Sequence, residues 1–333
     1  MMSKRVRSNL RDTLSESFLP KLGLFLLIVM FIMAMFAPFI ATHDPTSTGY
    51  YSPEGPPYPP LGYEYTATVS IDGERTEVMV TSSSEHILGT NNVGQDVFSR
   101  FVYGARVSMV VGLSATIIAL LIGVPVGLVA GYFGGRLDDV LMRAADIMLA
   151  FPALVLALAM IGIFRETTVN IPDPFVYAGI APDMPETIPL PGSVTIVAAL
   201  VIWVWFARVA RGEALSLRTQ EYVKSSKSVG MSDARIIFKH ILPNSLTPII
   251  VLATIQLAVI ILLEASLAYL GFSGTTLSWG FEIERGQDLL RRRPWISVVP
   301  GIGIMLFVIA VNLLGDWLRD ALDPNINQSE RGV

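Results

Sequence analysis

Six stretches of this 333-residue chain are apolar for long enough to cross a lipid bilayer, at about residues 22–41, 107–130, 143–164, 194–212, 245–270 and 298–318. A helix needs about 20 predominantly apolar residues to span the hydrocarbon core. No water is present there to satisfy backbone N–H and C=O groups, so each stretch is confined to helix. The pattern predicts an all-α polytopic membrane protein of about six transmembrane helices. Composition agrees: 16% of residues are charged, against roughly a quarter in a soluble domain.

Lys4, Arg5, Arg7 and Arg11 precede the first stretch. That stretch is longer than a signal-peptide core and lacks a small-residue cleavage site, so it reads as a retained span. With the N-terminus in the cytoplasm, 16 of the 24 Lys and Arg fall in inside segments. The positive-inside bias therefore predicts both termini in the cytoplasm. One group runs against it: Arg291, Arg292 and Arg293 fall outside, beside Glu282, Glu284 and Asp288.

The segment between the first two stretches is acidic and starts Pro-rich, then alternates through Thr66-Ala67-Thr68-Val69-Ser70-Ile71. Asp72-Gly73 and a second alternating run, Glu77-Val78-Met79-Val80, follow. This predicts a small extracytoplasmic β-hairpin, either a solvated cap or a docking element. In the second span Gly123, Gly127 and Gly131 recur every fourth residue. They mark a face where another helix approaches closely. Pro125 and Pro152 interrupt two spans and are candidate kinks.

Catalytic signatures are missing. The chain has no cysteine, which excludes disulfides, thiolate zinc sites and cysteine nucleophiles. His43, His86 and His240 are far apart, with no HExxH spacing. The sequence contains neither GxxxxGK[ST] nor GxSxG, so it offers no P-loop and no nucleophile elbow. No cofactor is expected. A net charge of −4 without a long basic run gives no sign of nucleic acid. The candidate intramembrane carboxylates are Asp146, near a span start, and Glu264, the one deep in a span, in Ile260-Ile261-Leu262-Leu263-Glu264. A carboxylate there is costly, which makes Glu264 a candidate for the translocation path, with interhelical pairing as the plain alternative.

The most informative segment is 213–244, between the fourth and fifth spans. A helix is predicted to about Val229, stopped by Gly230, then a second helix capped by Ser232 and ended by Pro243. Ile236, Ile237, Phe238 and Ile241 give the second helix an apolar side. On physics alone the elbow is either a contact for a cytosolic partner or an amphipathic hairpin on headgroups.

Gly230, Leu242 and Pro243 stand at the spacing of the EAA loop of ABC-importer permeases, and the loop resembles it. Flanking Glu221-Tyr222-Val223 and His240-Ile241-Leu242-Pro243-Asn244 are similar to C-type subunits of dipeptide/oligopeptide permeases. So are Leu88-Gly89-Thr90, Gly131-Tyr132-Phe133-Gly134-Gly135, Glu264-Ala265-Ser266-Leu267 and the run Asn312 to Pro324. Residues 45–85 match least and look like an insertion. The Glu-Ala-Ala positions hold Lys224, Ser225 and Ser226, so the acidic residue is reversed in sign, and Glu221 lies three residues earlier.

The resemblance implies a type I ABC importer permease fold. It also implies a peptide or related small solute as cargo, and partners: a second, non-identical permease, two ATP-binding subunits and an extracytoplasmic solute-binding protein. It implies coupling to the ATPase through Glu221, Lys224, Ser225, Ser226, Gly230, Arg235, Leu242 and Pro243. The expected organisation is a cytoplasmic segment at 1–21, a first helix at 22–41, an outer loop at 42–106, the permease domain at 107–321 and a tail at 322–333. An ion-gradient-driven transporter is the rival reading. It is disfavoured by the lack of an internal repeat and by the single deep carboxylate.

Overall fold

The computed structural model describes residues 17–53, 55–71, 74–164 and 167–322. The basic N-terminal segment, the Asp72-Gly73 turn and the tail beyond 322 lie outside the described residues. Helices dominate: α1 (Phe18–Met35), α2 (Ala37–Ile40), α3 (Val97–Phe133), α4 (Gly135–Leu149), α5 (Ala153–Phe164) and α6 (Pro174–Tyr177). They continue with α7 (Gly192–Leu217), α8 (Glu221–Ser228), α9 (Asp233–Ile236), α10 (Leu242–Tyr269), α11 (Trp279–Gly286) and α12 (Trp295–Leu322). Among the described residues five helical runs are long and apolar enough to cross a membrane, and six with the bent pair α4–α5 taken as one span.

Strands β1 (Tyr65–Ile71) and β2 (Glu74–Val80) pair antiparallel in the register expected of the hairpin. A second antiparallel pair, β3 (Thr168–Pro172) and β4 (Thr187–Pro191), was not expected from the sequence. The first hairpin rests on α12 through Tyr63 and Tyr65, whose rings lie 5.9 and 5.7 Å from that of Trp295.

Three boundaries differ from the sequence reading. The second span begins at Val97, ten residues before 107, because Asp96 caps it. The Asp96 carboxylate accepts from the Ser99 backbone N–H at 2.8 Å and from its hydroxyl at 2.7 Å. The third span is not one rod: α4 and α5 meet at 97°. Pro152 has no N–H to donate and restricts Phe151, which ends α4. Pro125, by contrast, lies inside an unbroken α3. Nor does Pro243 end the elbow's second helix. Asp233 to Tyr269 is a continuous helical run, with a π-turn at Ile237–Ile241 just before the proline. The wide turn accommodates a residue that cannot make the i→i−4 bond.

The glycine face of α3 packs on α7. A Cβ at Gly123 would collide with the carbonyl oxygen of Trp203, one at Gly127 with that of Ala207, and one at Gly131 would sit 2.5 Å from that of Arg211. In lipid no hydrophobic drive pushes helices together, so this backbone-to-backbone approach supplies the dispersion contact that holds them. Phe206, Ile202, Ile260, Ile236 and Ile241 fill the resulting core, which runs from the spans into the elbow. A second core surrounds Trp279, where α1, α3, α10 and α12 meet.

The end of the bundle bearing the hairpins is tied by buried ion pairs. Arg100 donates to Glu282 through Nε at 2.9 Å and Nη2 at 2.6 Å, and Arg106 pairs with Asp173. Glu282→Ala leaves the Arg100 guanidinium buried with no counter-charge. It is expected to destabilise the fold by about 3–5 kcal/mol, read as a fall in thermal unfolding midpoint in detergent.

Candidate functional site

The elbow is built on α7 and α10. After α7 ends at Leu217, Arg218 turns back to donate to the carbonyls of Gly131 and Tyr132 at 3.0 and 3.2 Å. It thereby satisfies carbonyl oxygens at the C-terminal end of α3, which have no intrahelical partner. Arg211 grips Asp138 with Nε and Nη2 at 2.5 and 2.7 Å, joining α7 to α4. The Tyr132 hydroxyl donates to Asp233 at 2.6 Å, and the Lys227 ammonium lies 5.9 Å from the centre of the same ring. Directed polar contacts as well as packing thus link the elbow to the ends of α3 and α7.

Gly230 makes the bend. Its φ of +82° is in the left-handed region that favours glycine. Its N–H bonds to the Lys227 carbonyl at 3.0 Å, and the Met231 N–H reaches back to the Ser226 carbonyl at 3.1 Å. Those two bonds are the pattern of a glycine-terminated helix end. Ser232 stands at the start of α9 as expected, but its side chain makes no capping bond.

The two faces of the elbow differ. Val223, Ile236, Ile237 and Ile241 are buried in the main core. On the other side Tyr222, Val229 and Phe238 are exposed, Val229 by 81% and Phe238 by 69%. Of the residues singled out in the sequence, Glu221, Lys224, Ser225, Gly230, Arg235 and Pro243 share this exposed elbow, while Ser226 and Leu242 are half-buried. The Ser226 hydroxyl donates to the Tyr222 carbonyl at 2.8 Å, and His240 lies 3.4 Å from it. Phe238, grouped by sequence with Ile236, Ile237 and Ile241 on one apolar side, is exposed within the π-turn while those three are buried.

Glu264 lies apart from the elbow. It is fully buried where α3, α10 and α11 meet, with the Ser108 hydroxyl donating to Oε2 at 3.3 Å. Among the described residues Oε1 has no hydrogen-bond partner. The same Ser108 oxygen accepts from the Trp279 N–H at 3.2 Å, so the carboxylate is part of a three-helix junction.

Two histidines that are distant in sequence converge at the opposite end of the molecule. The rings of His43 and His86 lie 4.6 Å apart, and with Asp96 they bring one ligand atom each within 4.8 Å of one another. The Asp96 oxygens already take up His86 Nδ1, the Ser99 N–H and hydroxyl, and the Thr42 hydroxyl. With its acceptor positions so occupied, the cluster is a hydrogen-bonded clasp between the segment joining α2 to α3 and the start of α3.

The family described as binding-protein-dependent transport system inner membrane component matches residues 123–328. The N-terminal TM domain of oligopeptide transport permease C matches residues 19–57. Over 246 residues the chain is 39% identical to a dipeptide transport system permease protein of Alkalihalophilus pseudofirmus, covering 73% of each chain. It is 32% identical over 314 residues to an oligopeptide transport system permease protein of Bacillus subtilis, covering 93% of this chain and 87% of that one. Among solved structures, an inward facing MetNI methionine ABC transporter superposes with a TM-score of 0.49 at 16% identity, over 67% of this chain and 96% of that chain. The family model over residues 123–328 and the identity to the two peptide transport permeases establish that the chain, a multi-span helical bundle, belongs to the binding-protein-dependent transport system inner membrane component family.

Proposed function

We propose that this chain is a non-catalytic, channel-forming subunit of an ATP-driven importer for dipeptides, oligopeptides or related small solutes. The observation that carries the coupling step is the two-faced elbow: Val223, Ile236 and Ile241 anchor it in the core, while Tyr222, Val229 and Phe238 are left exposed. An apolar surface of this kind, rimmed by Lys224, Lys227, Arg235 and Lys239, suits a groove on a separate ATPase subunit. ATP binding closes the ATPase pair and displaces the elbow. The contacts of Arg218, Arg211 and Tyr132 pass that displacement to α3, α4 and α7. The helices then rock between two states, with ATP selecting one by differential affinity.

Glu221, Lys224, Ser225, Ser226, Gly230, Arg235, Leu242 and Pro243 form or shape this contact. Glu264 acts on the translocation path by holding the α3–α10–α11 junction together. The assembly contains a second, non-identical permease, two ATP-binding subunits and an extracytoplasmic binding protein. Both termini and the elbow face the cytoplasm, in keeping with the Lys and Arg distribution. Reconstituted with its partners in liposomes, the importer is expected to accumulate peptide with ATP and without a proton gradient. Uptake that follows the proton gradient and ignores ATP overturns the proposal.

A further inference from the structure

The three outward arginines that defied the charge distribution have a structural setting that the transport reading does not use. Glu282, close to them in sequence, is committed to Arg100. Arg291, Arg292 and Arg293 instead line a groove of about 1040 Å³, together with Arg75 of the hairpin. Among the described residues no carboxylate lines it, and none of the four guanidinium groups is in an ion pair. Arg293 lies over the Tyr65 ring, 5.8 Å from its centre, which fixes one wall of the groove to the hairpin.

The other wall is strand β1. Five successive residues, Thr66 to Ser70, line the groove. Side chains alternate across a strand, so one face contributes only every second residue. A run of five without a gap places the strand's edge along the groove. That edge is free among the described residues, where the sheet has two strands and β1 pairs only with β2. A free edge carries unpaired N–H and C=O groups that accept a further strand. The volume is at or above the upper end of ordinary small-ligand sites, which suits a peptide segment better than a single small anion.

We infer that this groove receives an extended acidic segment of the solute-binding protein, which adds to the β1 edge while its carboxylates meet Arg75 and Arg291–Arg293. The inference rests on the importer reading and on the hairpin facing outward. It gives the 45–85 segment a role: the hairpin supplies both the strand edge and one of the four cations.

The test uses the complete importer in lipid nanodiscs and its own binding protein as the probe. Arg291→Glu with Arg292→Glu is expected to weaken binding roughly tenfold or more at low salt. The wild-type affinity is expected to fall as the Debye length is cut from about 30 Å to about 3 Å, and the double variant to lose most of that dependence. A photo-crosslinker on Thr68→Cys, in a chain otherwise free of cysteine, is expected to capture an Asp/Glu-rich stretch of the binding protein. Arg291→Lys with Arg292→Lys is expected to retain binding, which separates charge from loop folding. Wild-type affinity in the Glu variant, or crosslinks from Thr68→Cys to lipid alone, overturns the groove assignment while leaving the importer reading intact. A chain that co-purifies with no ATPase overturns both.

Discussion

Gly230→Asp is expected to abolish uptake while the protein inserts and folds. Among the described residues, its chain neighbours aside, no atom lies within 4 Å of where a Cβ at Gly230 would sit, so the side chain meets no steric obstacle. The remaining backbone cost comes from φ of +82°. That is about 1–2 kcal/mol for an L-residue, and less for Asp and Asn, which visit this region more readily. Such a cost is too small to unfold a bundle anchored by Ile236 and Ile241. The carboxylate, however, stands beside Val229, which is 81% exposed at the tip. Desolvating that charge in an apolar groove costs several kcal/mol, enough to lose the contact. Gly230→Asn has the same shape without the charge and is expected to retain most uptake. Transport assays on both, alongside membrane yield, check this. Equal loss in both assigns Gly230 to backbone geometry alone, and normal uptake in both removes it from coupling.

The second large effect concerns folding. Gly127→Leu places a side chain on the carbonyl oxygen of Ala207 in α7. Backbone cannot yield as a flexible side chain can, so α3 and α7 must separate along the seam that Gly123 and Gly131 also form. The cost is expected at about 3 kcal/mol or more, with little folded protein recovered. Gly212→Ala is the matched control. It lies in α7 with nothing within 4 Å, and within this chain it is expected to be neutral or stabilising by up to about 1 kcal/mol. Detergent-solubilised yield and thermal midpoint of the two variants decide the matter. Similar values for both contradict the seam.

What sequence reading could reach followed from how local each determinant is. The spans were legible because apolar length is a local property, and the Gly123–Gly127–Gly131 face because its period is one helical turn. The bend at Gly230 was legible because few residues other than glycine terminate a helix in this way. The early start of α3 was missed although Asp96 and Ser99 hold its signal, because apolar content falls off before the cap does. Pro152 was marked, but nothing local separates it from Pro125, which leaves α3 unbroken. The surroundings of each proline decide whether a helix bends or breaks there. The Arg100–Glu282 pair joins positions 182 residues apart and no spacing rule finds it. The Arg291–Arg293 cluster lies beside Glu282 in sequence, yet Glu282 pairs with the distant Arg100 instead. The β3–β4 pair, rich in proline and almost wholly exposed on β3, has neither the alternation nor the burial that marks a strand.

The central claim is that the elbow touches a separate ATPase and transmits its motion. The absence of cysteine allows a direct measurement: Val229→Cys is the only thiol in the chain, so a thiol-directed photo-crosslinker reports solely on the elbow tip. In the assembled importer during turnover, the account predicts crosslinks to the ATP-binding subunit, with a yield that changes between ATP-bound and nucleotide-free states. Crosslinks confined to lipid or to this chain, unchanged by nucleotide, would contradict it.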